Sequence, residues 1–333
     1  DILIIIKIIT KYIFLIFIIA FTIEEKAKVY FSKEITPEKI VDLYKKLNVT
    51  LKGNVALKVH SGEPGGKYFL RPHFLRKIYD YTNGTFVECN AAYNGGRHNT
   101  SIHKKTLEEN GWYENNTRIV IMDEDPEKDW NLTLENFNMI RDNIVGEHLR
   151  DFDSCLVLAH LKGHGMGGFG GSLKQLSIGF ASKSGKALIH SAGKNAKEIA
   201  WDDIPESERF TAAMGDAATS IVNYFRKKGG IAFINVMVNI SKSCDCAGAR
   251  APEPQIADIG ILASTDPIAI DKASIDFIRQ TNDNGTEDWL QQLERLKGEK
   301  TIDFAEKLGI GTQEYEIINV DNETTPEDED ETE

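Results

Sequence analysis

A chain of 333 residues, with 41% hydrophobic and 27% charged residues, is long enough to bury a large core and has the composition of an ordinary globular protein. A net charge of −12 and the lack of a basic stripe with interleaved aromatic residues argue against nucleic acid as a partner. Four cysteines are too few for a scaffold held together by disulfides.

The N-terminal segment is apolar and carries positive charge ahead of its apolar run. Two lysines precede the run Tyr12–Ala20, and small or polar residues end it. This order predicts that residues 1–22 are a secretory signal peptide, because the run is short for a membrane-spanning helix. An uncleaved anchor through residues 2–23 is the alternative. The sequence therefore predicts a secreted or luminal protein, or one anchored to the membrane by its N-terminus.

Eight Asn-x-Ser/Thr sequons agree with this prediction, because N-glycosylation marks proteins of the secretory pathway. Chance in an Asn-rich sequence is the alternative. The sequons at which we expect N-glycans are Asn48, Asn83, Asn115, Asn131 and Asn284. The remaining sequons are Asn99, Asn239 and Asn322.

Short β-branched runs alternate with amphipathic helical patterns, which is typical of an α/β layer fold. The predicted strands are Lys28–Phe31, Asn54–Val59, Thr85–Cys89, Ile119–Met122, Ser154–Ala159, Ile231–Asn239, Ile256–Ala263 and Tyr315–Val320. The predicted helices are Thr36–Leu47, Arg71–Tyr81, Ser101–Asn110, Ser172–Ser177, Pro205–Arg226, Pro267–Arg279, Glu287–Leu296 and Ile302–Leu308. We therefore expect a mixed or mostly parallel sheet flanked by helices.

No internal repeat and no Pro/Ser-rich linker divides the chain. We predict one α/β domain over residues 26–320. Two lobes around a central cleft, with a seam near residues 150–165, are an open alternative. The segment Asp321–Glu333 holds eight carboxylates and no basic residue, which is typical of a disordered and solvated tail.

The glycine-rich segment His160–His190 directly follows a predicted strand and has six glycines between residues 163 and 171. Glycine lets a ligand approach the backbone closely, and ligands of open α/β sheets bind at the carboxyl ends of strands. A helix beginning at Ser172 would add free N–H groups for an anion. A flexible glycine loop is the alternative. The expected contacts of a small anionic ligand in this segment are Lys162, Gly167, Gly168, Gly170 and Gly171.

Three stretches of the sequence carry a resemblance to a known family. They are Ala56–Phe74 with Ala91–Thr100, the glycine-rich segment, and Cys244–Ile278. Together they resemble the domain-of-unknown-function family 362, whose members are often labelled iron–sulfur-centre proteins. The resemblance implies the family's α/β fold, and the family has no settled activity. The chain lacks the CxxCxxCxxxCP insert of many bacterial relatives, which argues against a cubane cluster.

Three residues of the glycine-rich segment resemble a second family by their spacing. His164, Lys174 and His190 lie at intervals of ten and sixteen residues, similar to the pattern of the nickel-pincer lactate racemases. The resemblance implies that Lys174 bears a cofactor, that His190 ligates a metal, and that His164 is an acid or base at a carbon next to a carboxylate. His98, in a glycine-flanked loop, is the candidate for the opposing base. A shared scaffold without the cofactor is the alternative.

Basic side chains outside the glycine-rich segment are further candidates for ligand binding. Lys58 and His60 lie two residues apart at the end of a predicted strand, so their side chains point to the same face, which would form the polar floor of a cleft. A position on an exposed edge of the sheet is equally consistent with the pattern. Arg71 begins a predicted helix and Arg97 lies in a glycine-flanked loop. Either guanidinium suits a carboxylate or phosphate, and a plain turn is the alternative for the loop.

Cys244 and Cys246 are candidate metal ligands, as is His190. The two thiolates, with Asp245 and a histidine of the glycine-rich segment, would suit zinc or iron. A redox dithiol and two buried thiols are the alternatives. We rank a disulfide last because the ring that it closes would be strained.

The sequence thus supports three functions. The first is a racemase-like or isomerase-like enzyme for a small carboxylate, which requires His164, Lys174 and His190 to converge in one pocket. The second is an iron–sulfur or zinc-binding redox protein, which requires Cys244 and Cys246 to face a common ligand. The third is an anion-binding protein without catalysis. A metal (iron, zinc or nickel) is the expected cofactor for the first two.

Overall fold

The computed structural model describes residues 26–322, so the predicted signal peptide or anchor and nearly all of the acidic tail lie outside the described residues. Within these residues, no helix combines the length and apolar character that crossing a membrane demands. Residues 26–322 form one sheet of eight strands, two small sheets of two strands each, and helices around them. The predicted α/β fold with a mixed, mostly parallel sheet is confirmed.

The strands are β1 (Ala27–Ser32), β2 (Val55–Lys58), β3 (Thr85–Glu88), β4 (Ile119–Ile121), β5 (Trp130–Thr133), β6 (Asp142–Val145), β7 (Ser154–His160), β8 (Lys162–His164), β9 (Gly168–Gly170), β10 (Ile231–Met237), β11 (Gly260–Ser264) and β12 (Tyr315–Asn319). The large sheet has the order β12-β1-β11-β10-β7-β2-β3-β4. All its strands run in one direction except β11, which is antiparallel to both neighbours. Strands β5 and β6 form one small antiparallel sheet, and β8 and β9 form the other.

The α-helices are α1 (Pro37–Lys46), α2 (Arg76–Thr82), α3 (Thr100–Glu109), α4 (Ser172–Lys174), α5 (Lys183–His190), α6 (Ser207–Arg226), α7 (Pro267–Gln280), α8 (Thr286–Arg295) and α9 (Lys300–Lys307). Helix α4 continues into a π-helical turn, Gln175–Gly179. The 3₁₀ turns are Glu114–Asn116, Pro126–Lys128, Glu147–Asp151, Asp245–Arg250 and Val320–Asn322. Asp266 caps α7 by accepting the backbone N–H groups of Ile268 and Ala269, as its position before a proline predicts.

The core lies on both faces of the large sheet. Along β7, Cys155 and Val157 pack into one apolar cluster, whereas Leu156 and Leu158 pack into the other. The first cluster contains residues of α6 and α7, and the second contains residues of α1, α2 and α3. A strand covered on both faces is apolar throughout, which explains why β7 reads as a continuous hydrophobic run.

The segment near residues 150–165, considered as a seam between two lobes, contains β7. This strand is hydrogen-bonded on one side to β2 and on the other to β10, at the centre of the sheet.

Because β2, β3, β7 and β10 are parallel, their carboxyl ends lie along one edge. Lys58, Glu88 and His160 are the last residues of three of these strands, so their side chains are brought to that edge.

Several predicted boundaries differ from the structure. The helix predicted over Arg71–Tyr81 begins at Arg76, because the residues from Arg71 onward form successive turns with bonds between each carbonyl and the third residue along. The strand predicted over Ile256–Ala263 is β11, which begins four residues later, at Gly260, and ends at Ser264. Asp321, the first residue of the predicted disordered tail, accepts a hydrogen bond from the hydroxyl of Ser32 at 2.5 Å and is therefore fixed to β1. The rest of the tail lies outside the described residues, apart from Asn322.

Candidate functional site

The glycine-rich segment is not a flexible loop. Strands β8 and β9 form a hairpin in which Lys162 lies opposite Gly170 and His164 lies opposite Gly168. Gly168 has a φ of +77°, and a Cβ there would lie 2.9 Å from the Cα of Gly298. Glycine is therefore required at position 168 because another segment of the chain packs against its backbone.

The other glycines predicted to contact a ligand also face protein atoms. A Cβ at Gly171 would lie 2.5 Å from Asp271 Oδ1, and one at Gly170 would lie 3.0 Å from Lys174 Cδ. A Cβ at Gly167 would lie 3.3 Å from the sulfur of Met214. Packing within the chain therefore explains why these positions lack a side chain, and the prediction that their backbone contacts a ligand stays a prediction.

The first N–H groups of the helix beginning at Ser172 are not free for a ligand. Its first two, on Ser172 and Leu173, each donate to the carboxylate of Asp271 at 2.8 Å. Asn235 donates to the same carboxylate at 2.8 Å. Burial raises the pKa of Asp271 to about 6. The anion expected at this helix end is therefore a side chain of the protein itself.

One cavity of about 60 Å³ lies at the edge where the parallel strands end. His164, Lys174 and His190, the three residues picked out by their spacing, all line this cavity. They come from β8, α4 and α5, so the fold brings them together from separate elements. The other polar side chains on the wall that bear on its chemistry are His60, Glu88, Tyr93, Arg97, Lys186 and Cys246.

A buried ion network supports the cavity on the side of β2 and β3. Glu88 accepts from Lys58 Nζ at 2.9 Å and from Arg97 Nη1 at 2.8 Å, and Arg97 Nε donates to Glu63 at 2.8 Å. Burial alone would raise the pKa of Glu88, but the charges of Lys58 and Arg97 hold it well below its usual value. Burial lowers the pKa of Lys58. Arg97 is thus held rigidly on the wall, while Lys58 lies fully buried behind it.

His60 lies between two N–H groups, of which its neutral ring can accept a hydrogen bond from only one. The backbone N–H of Gly62 donates to Nδ1 at 3.1 Å, and Arg97 Nη2 lies 3.2 Å from Nε2. Burial and then the charge of Arg97 lower the pKa of His60 well below its usual value. Arg97 Nη2 also donates to the hydroxyl of Tyr93 at 3.0 Å. His60 therefore contributes a neutral ring to the cavity wall.

His164 and His190 differ in which ring nitrogen carries the proton. His164 Nδ1 accepts the backbone N–H of Gly167 at 2.9 Å, so the neutral ring carries its proton on Nε2. His190 Nδ1 donates to the carbonyl of Lys186 at 2.6 Å, which leaves the lone pair on Nε2. Burial lowers the pKa of His164 well below its usual value and that of His190 to about 4. At neutral pH one ring offers a donor and the other an acceptor.

Two lysines line the cavity without a carboxylate partner among the described residues. The Nζ of Lys174 lies 3.8 Å from Cys244 Sγ, and the Nζ of Lys186 donates to the carbonyl of Ala181 at 2.5 Å. Burial, followed by the charge of Lys162, lowers the pKa of Lys174 to about 7. The cavity therefore has more positive than negative charge on its wall.

Asp245, considered as a metal ligand, is bound to two basic side chains. His160 Nδ1 lies 2.9 Å from Oδ1, and Lys162 Nζ lies 2.7 Å from Oδ2. Burial would raise the pKa of Asp245, but His160 and Lys162 hold it well below its usual value. Lys162 was expected to bind an external anion, and this prediction is corrected because its charge is already paired inside the protein.

Cys244 and Cys246 are joined by a disulfide, the arrangement that the sequence analysis ranked last. Their Cα atoms are 5.1 Å apart, within the range that a disulfide spans. A ring nitrogen of His164 and both sulfur atoms lie within 4.8 Å of one another, so these three residues form a cluster that could hold a metal ion. Sulfur atoms bonded to each other are not thiolate ligands, and the cluster therefore requires reduction before it can bind a metal.

Two residues predicted for the site lie elsewhere. His98 is not on the cavity wall: its Nδ1 donates to the carbonyl of Gly95 at 2.8 Å, and its Nε2 accepts from the Asn99 amide at 2.9 Å. Arg71 stacks on the ring of Phe69 at 4.1 Å and donates to the carbonyl of Gly66. Both predictions are corrected, because local contacts of the loops engage these side chains.

Glu88 and Tyr93 lie on the cavity wall and were missed from the sequence. Glu88 ends a strand that pairs in parallel with the strand ending at Lys58, with Lys58 opposite Val87. An acidic residue at the end of one buried strand and a basic residue at the end of the next is a signal that could have identified this pair. Tyr93 lies in a loop, and no periodic pattern marks it.

The chain shows low sequence identity to two solved protein structures. A search of curated proteins finds no match. A solved Thermotoga maritima protein from a structural genomics consortium is 17% identical, with a TM-score of 0.42 over 82% of this chain and 59% of that one. The lactate racemase apoprotein from Thermoanaerobacterium thermosaccharolyticum is 15% identical, with a TM-score of 0.44 over 75% of this chain and 56% of that one. The chain thus spans less than two thirds of either protein.

The match to a family extends over well more than half of the chain. It covers residues 55–276, which include β2, β7, the glycine-rich segment, the disulfide and most of α7. These are the elements that build the cavity and its ion network. The chain belongs to the family described as Domain of unknown function (DUF362).

Proposed function

We propose that this protein binds a small carboxylate in the cavity and moves a proton at the carbon next to the carboxylate. The observation that supports this function is the convergence of His164, Lys174 and His190 on one cavity, together with Arg97 and Lys186. An enzyme that acts on a small carboxylate requires this combination of cationic and acid/base groups. The binding of the anion and the proton transfer have separate physical grounds.

The charge of the wall favours an anion. Glu88 is the acidic residue on it, and its charge is balanced by Lys58 and Arg97. Lys174 and Lys186 form no ion pair with a carboxylate of the described residues, and the wall therefore carries a net positive charge. At about 60 Å³ the cavity holds a ligand of only a few heavy atoms, since a water molecule occupies roughly 30 Å³ of liquid. A small carboxylate has the charge that the wall favours, and only the smallest carboxylates approach the size of the cavity.

The two histidines supply the proton transfer. His190 Nε2 carries a lone pair and takes the proton as the base, and the imidazolium formed can exchange this proton with solvent and return it; His164, a neutral ring with its proton on Nε2, donates a hydrogen bond to the carboxylate as negative charge develops. A bound carboxylate raises the pKa of both rings by its negative charge and so makes His190 a stronger base. Negative charge that develops on the carboxylate during proton removal is stabilised by the ammonium groups of Lys174 and Lys186.

The organic nickel cofactor implied by the resemblance to lactate racemases fits these residues only in part. His190 Nε2 has the lone pair and the second-nitrogen hydrogen bond typical of a metal-binding histidine. However, the cavity of about 60 Å³ is far below the roughly 300–1,000 Å³ of pockets that hold drug-sized molecules. We therefore derive no step of the reaction through that cofactor.

A second candidate function is metal binding by the reduced protein. The cluster of His164, Cys244 and Cys246 supports it, because two thiolates and an imidazole suit Zn²⁺. Measurement of bound zinc after reduction and dialysis distinguishes this function from the first. One equivalent of zinc that is lost in Cys244→Ser supports metal binding, whereas a metal content that does not change in this variant contradicts it.

The proposed proton transfer is tested by hydrogen exchange. Small carboxylates with a hydroxyl, amino or oxo group at carbon 2 are incubated with the protein in ²H₂O, and loss of the carbon-bound proton is followed by ¹H NMR. We expect exchange with at least one of them, and a fall of about 10²-fold or more in His164→Gln and in His190→Gln. His98→Gln, outside the cavity, is the matched control and should keep the wild-type rate.

Binding without exchange would leave a non-catalytic anion-binding protein. Isothermal titration with the same carboxylates separates the two cases. If wild-type protein binds a carboxylate but exchanges no proton, the catalytic part of the proposal is wrong and the anion site remains. If wild-type protein binds no carboxylate of this size, the whole proposal is wrong. If it binds one and Lys186→Met binds it with the same affinity, Lys186 is not part of the anion site.

A further inference from the structure

The Cys244–Cys246 disulfide lies on the wall of the cavity and differs at its two ends. Cys246 lines the cavity and is half-buried, whereas Cys244 is only 5% exposed. On the inner side, Lys174 Nζ lies 3.8 Å from Cys244 Sγ. A small molecule that enters the cavity therefore reaches the sulfur of Cys246 first, with a cation behind the sulfur of Cys244.

We propose that Cys244 and Cys246 form a redox-active pair that exchanges with a small thiol. The thiolate of the external compound attacks Cys246 Sγ, the bond between Cys246 and Cys244 breaks, and Cys244 leaves as a thiolate. A second external thiol then attacks the mixed disulfide and releases Cys246 as a thiolate. Two external thiols are thereby oxidised to one disulfide, and the protein disulfide is reduced to two thiols.

The position of Lys174 decides which sulfur leaves. Exchange is faster when the leaving thiol has a low pKa, and a neighbouring ammonium group stabilises the thiolate that forms. Lys174 lies beside Cys244, so attack at Cys246 places the new negative charge next to a cation. Attack at Cys244 is hindered by its burial. Position and charge therefore favour the same direction of exchange.

The peptide between the two cysteines is held independently of the disulfide. Asp245 is bound to His160 and Lys162, and its side chain is 3% exposed. Cys244 Sγ also accepts the backbone N–H of Cys246 at 3.2 Å. The two Cα atoms therefore stay near their present separation of 5.1 Å after reduction, so that the pair can close again.

The two remaining cysteines serve as internal references. Cys89 and Cys155 are fully buried, and burial raises the pKa of both thiols. Thiols of this kind are unreactive in the folded protein because they do not form thiolates. Any reaction with a thiol reagent under native conditions is therefore assigned to Cys244 or Cys246.

The experiment follows the disulfide by mass spectrometry of folded, full-length protein in buffer that contains a metal chelator. Wild type is incubated with reduced glutathione and then labelled with N-ethylmaleimide before and after denaturation. We expect two native labels, at Cys244 and Cys246, and two more, at Cys89 and Cys155, only after denaturation. In Lys174→Met we expect reduction about tenfold slower, while Lys183→Met, an exposed lysine, keeps the wild-type rate.

Single-cysteine variants test the direction of exchange and do not depend on the lysine. With oxidised glutathione, Cys244→Ser should form a mixed disulfide at Cys246 at least tenfold faster than Cys246→Ser forms one at Cys244. Equal rates, or a faster reaction of Cys246→Ser, would overturn the proposed order of attack. A wild-type disulfide that survives excess dithiothreitol under native conditions would show that the bond is purely structural.

Discussion

The carboxylate of Asp245 lies 2.7 Å from the ammonium group of Lys162, and both side chains are 3% exposed. His160 approaches the other oxygen of the carboxylate, at 2.9 Å. From the sequence, Asp245 was a metal ligand and Lys162 a contact for an external anion. In the structure they neutralise each other and fix the loop that carries the disulfide to the hairpin that carries His164.

This buried pair should contribute strongly to stability. In Lys162→Met the carboxylate of Asp245 stays buried with His160 as its main partner, and loss of one member of a buried pair costs about 3–5 kcal/mol. Chemical denaturation in urea measures the free energy of unfolding. The control is Lys194→Met, which breaks an exposed pair with Asp203 and should change stability by no more than about 1 kcal/mol.

The pH dependence of the same pair has a defined sign. The pKa of Asp245 in the folded state lies well below its usual value of 3.8, so the unfolded state binds a proton more readily. The stabilisation is therefore present above about pH 4 and is lost as the pH falls further, towards the pKa of the folded state. Asp245→Asn should show a weaker loss of stability below pH 4 than wild type. An identical acid limb in both proteins contradicts this account.

The sequence predicted the layers of the fold well because its signals are local. Continuous apolar runs identified β7 and β10, and the cap and proline at Thr36-Pro37 placed the start of α1. The small sheet of β5 and β6 was missed, since each strand has only four residues. No residue of β5 is buried, and only two residues of β6 are. A pattern that short does not differ from that of a polar loop.

The candidate site was predicted in part. The spacing of His164, Lys174 and His190 identified residues that share one cavity. The partners of Lys162 and of the helix at Ser172 could not be predicted, because Asp245 and Asp271 come from segments far along the chain. A sequence shows which side chains carry charge, but not which charges are already neutralised within the fold.

The glycine-rich segment permits a sharp comparison of two substitutions. Gly168 has a φ of +77° and lies against the backbone of Gly298, so Gly168→Ala should destabilise the protein by at least roughly 1–2 kcal/mol. Gly165 lies in the same hairpin and would place its Cβ in open space. Gly165→Ala should therefore be neutral. Thermal unfolding measures both, and equal losses would mean that the two positions share a constraint that packing does not explain.

Asp271 should be essential for the packing of α4 against α7. In Asp271→Ala the N–H groups of Ser172 and Leu173 and the amide of Asn235 lose their acceptor inside the core. Each unsatisfied buried donor costs about 1–3 kcal/mol, so we expect a loss of several kcal/mol in the free energy of unfolding. Asp288→Ala, which removes an exposed carboxylate, is the control. A stability of Asp271→Ala close to wild type would contradict the role of this carboxylate.

Binding of a small carboxylate should depend on the charge of Lys174. Its pKa of about 7 means that roughly half of the free protein carries this charge at neutral pH. A bound anion raises the pKa, and binding is therefore accompanied by proton uptake. The affinity should be highest below pH 7 and should fall by up to about tenfold per pH unit above it. His190, with a pKa of about 4, remains neutral over this range and does not contribute.

Isothermal titration of acetate at pH values from about 6 to 9 measures this dependence, and repetition in buffers of different ionisation enthalpy counts the protons taken up. Lys174→Met should bind more weakly at pH 6 and should lose the pH dependence above pH 7. Lys183→Met, which changes an exposed lysine on α5, should keep both the affinity and the slope. If Lys174→Met retains the wild-type slope, another group controls binding, and Lys174 is not the cation that receives the carboxylate.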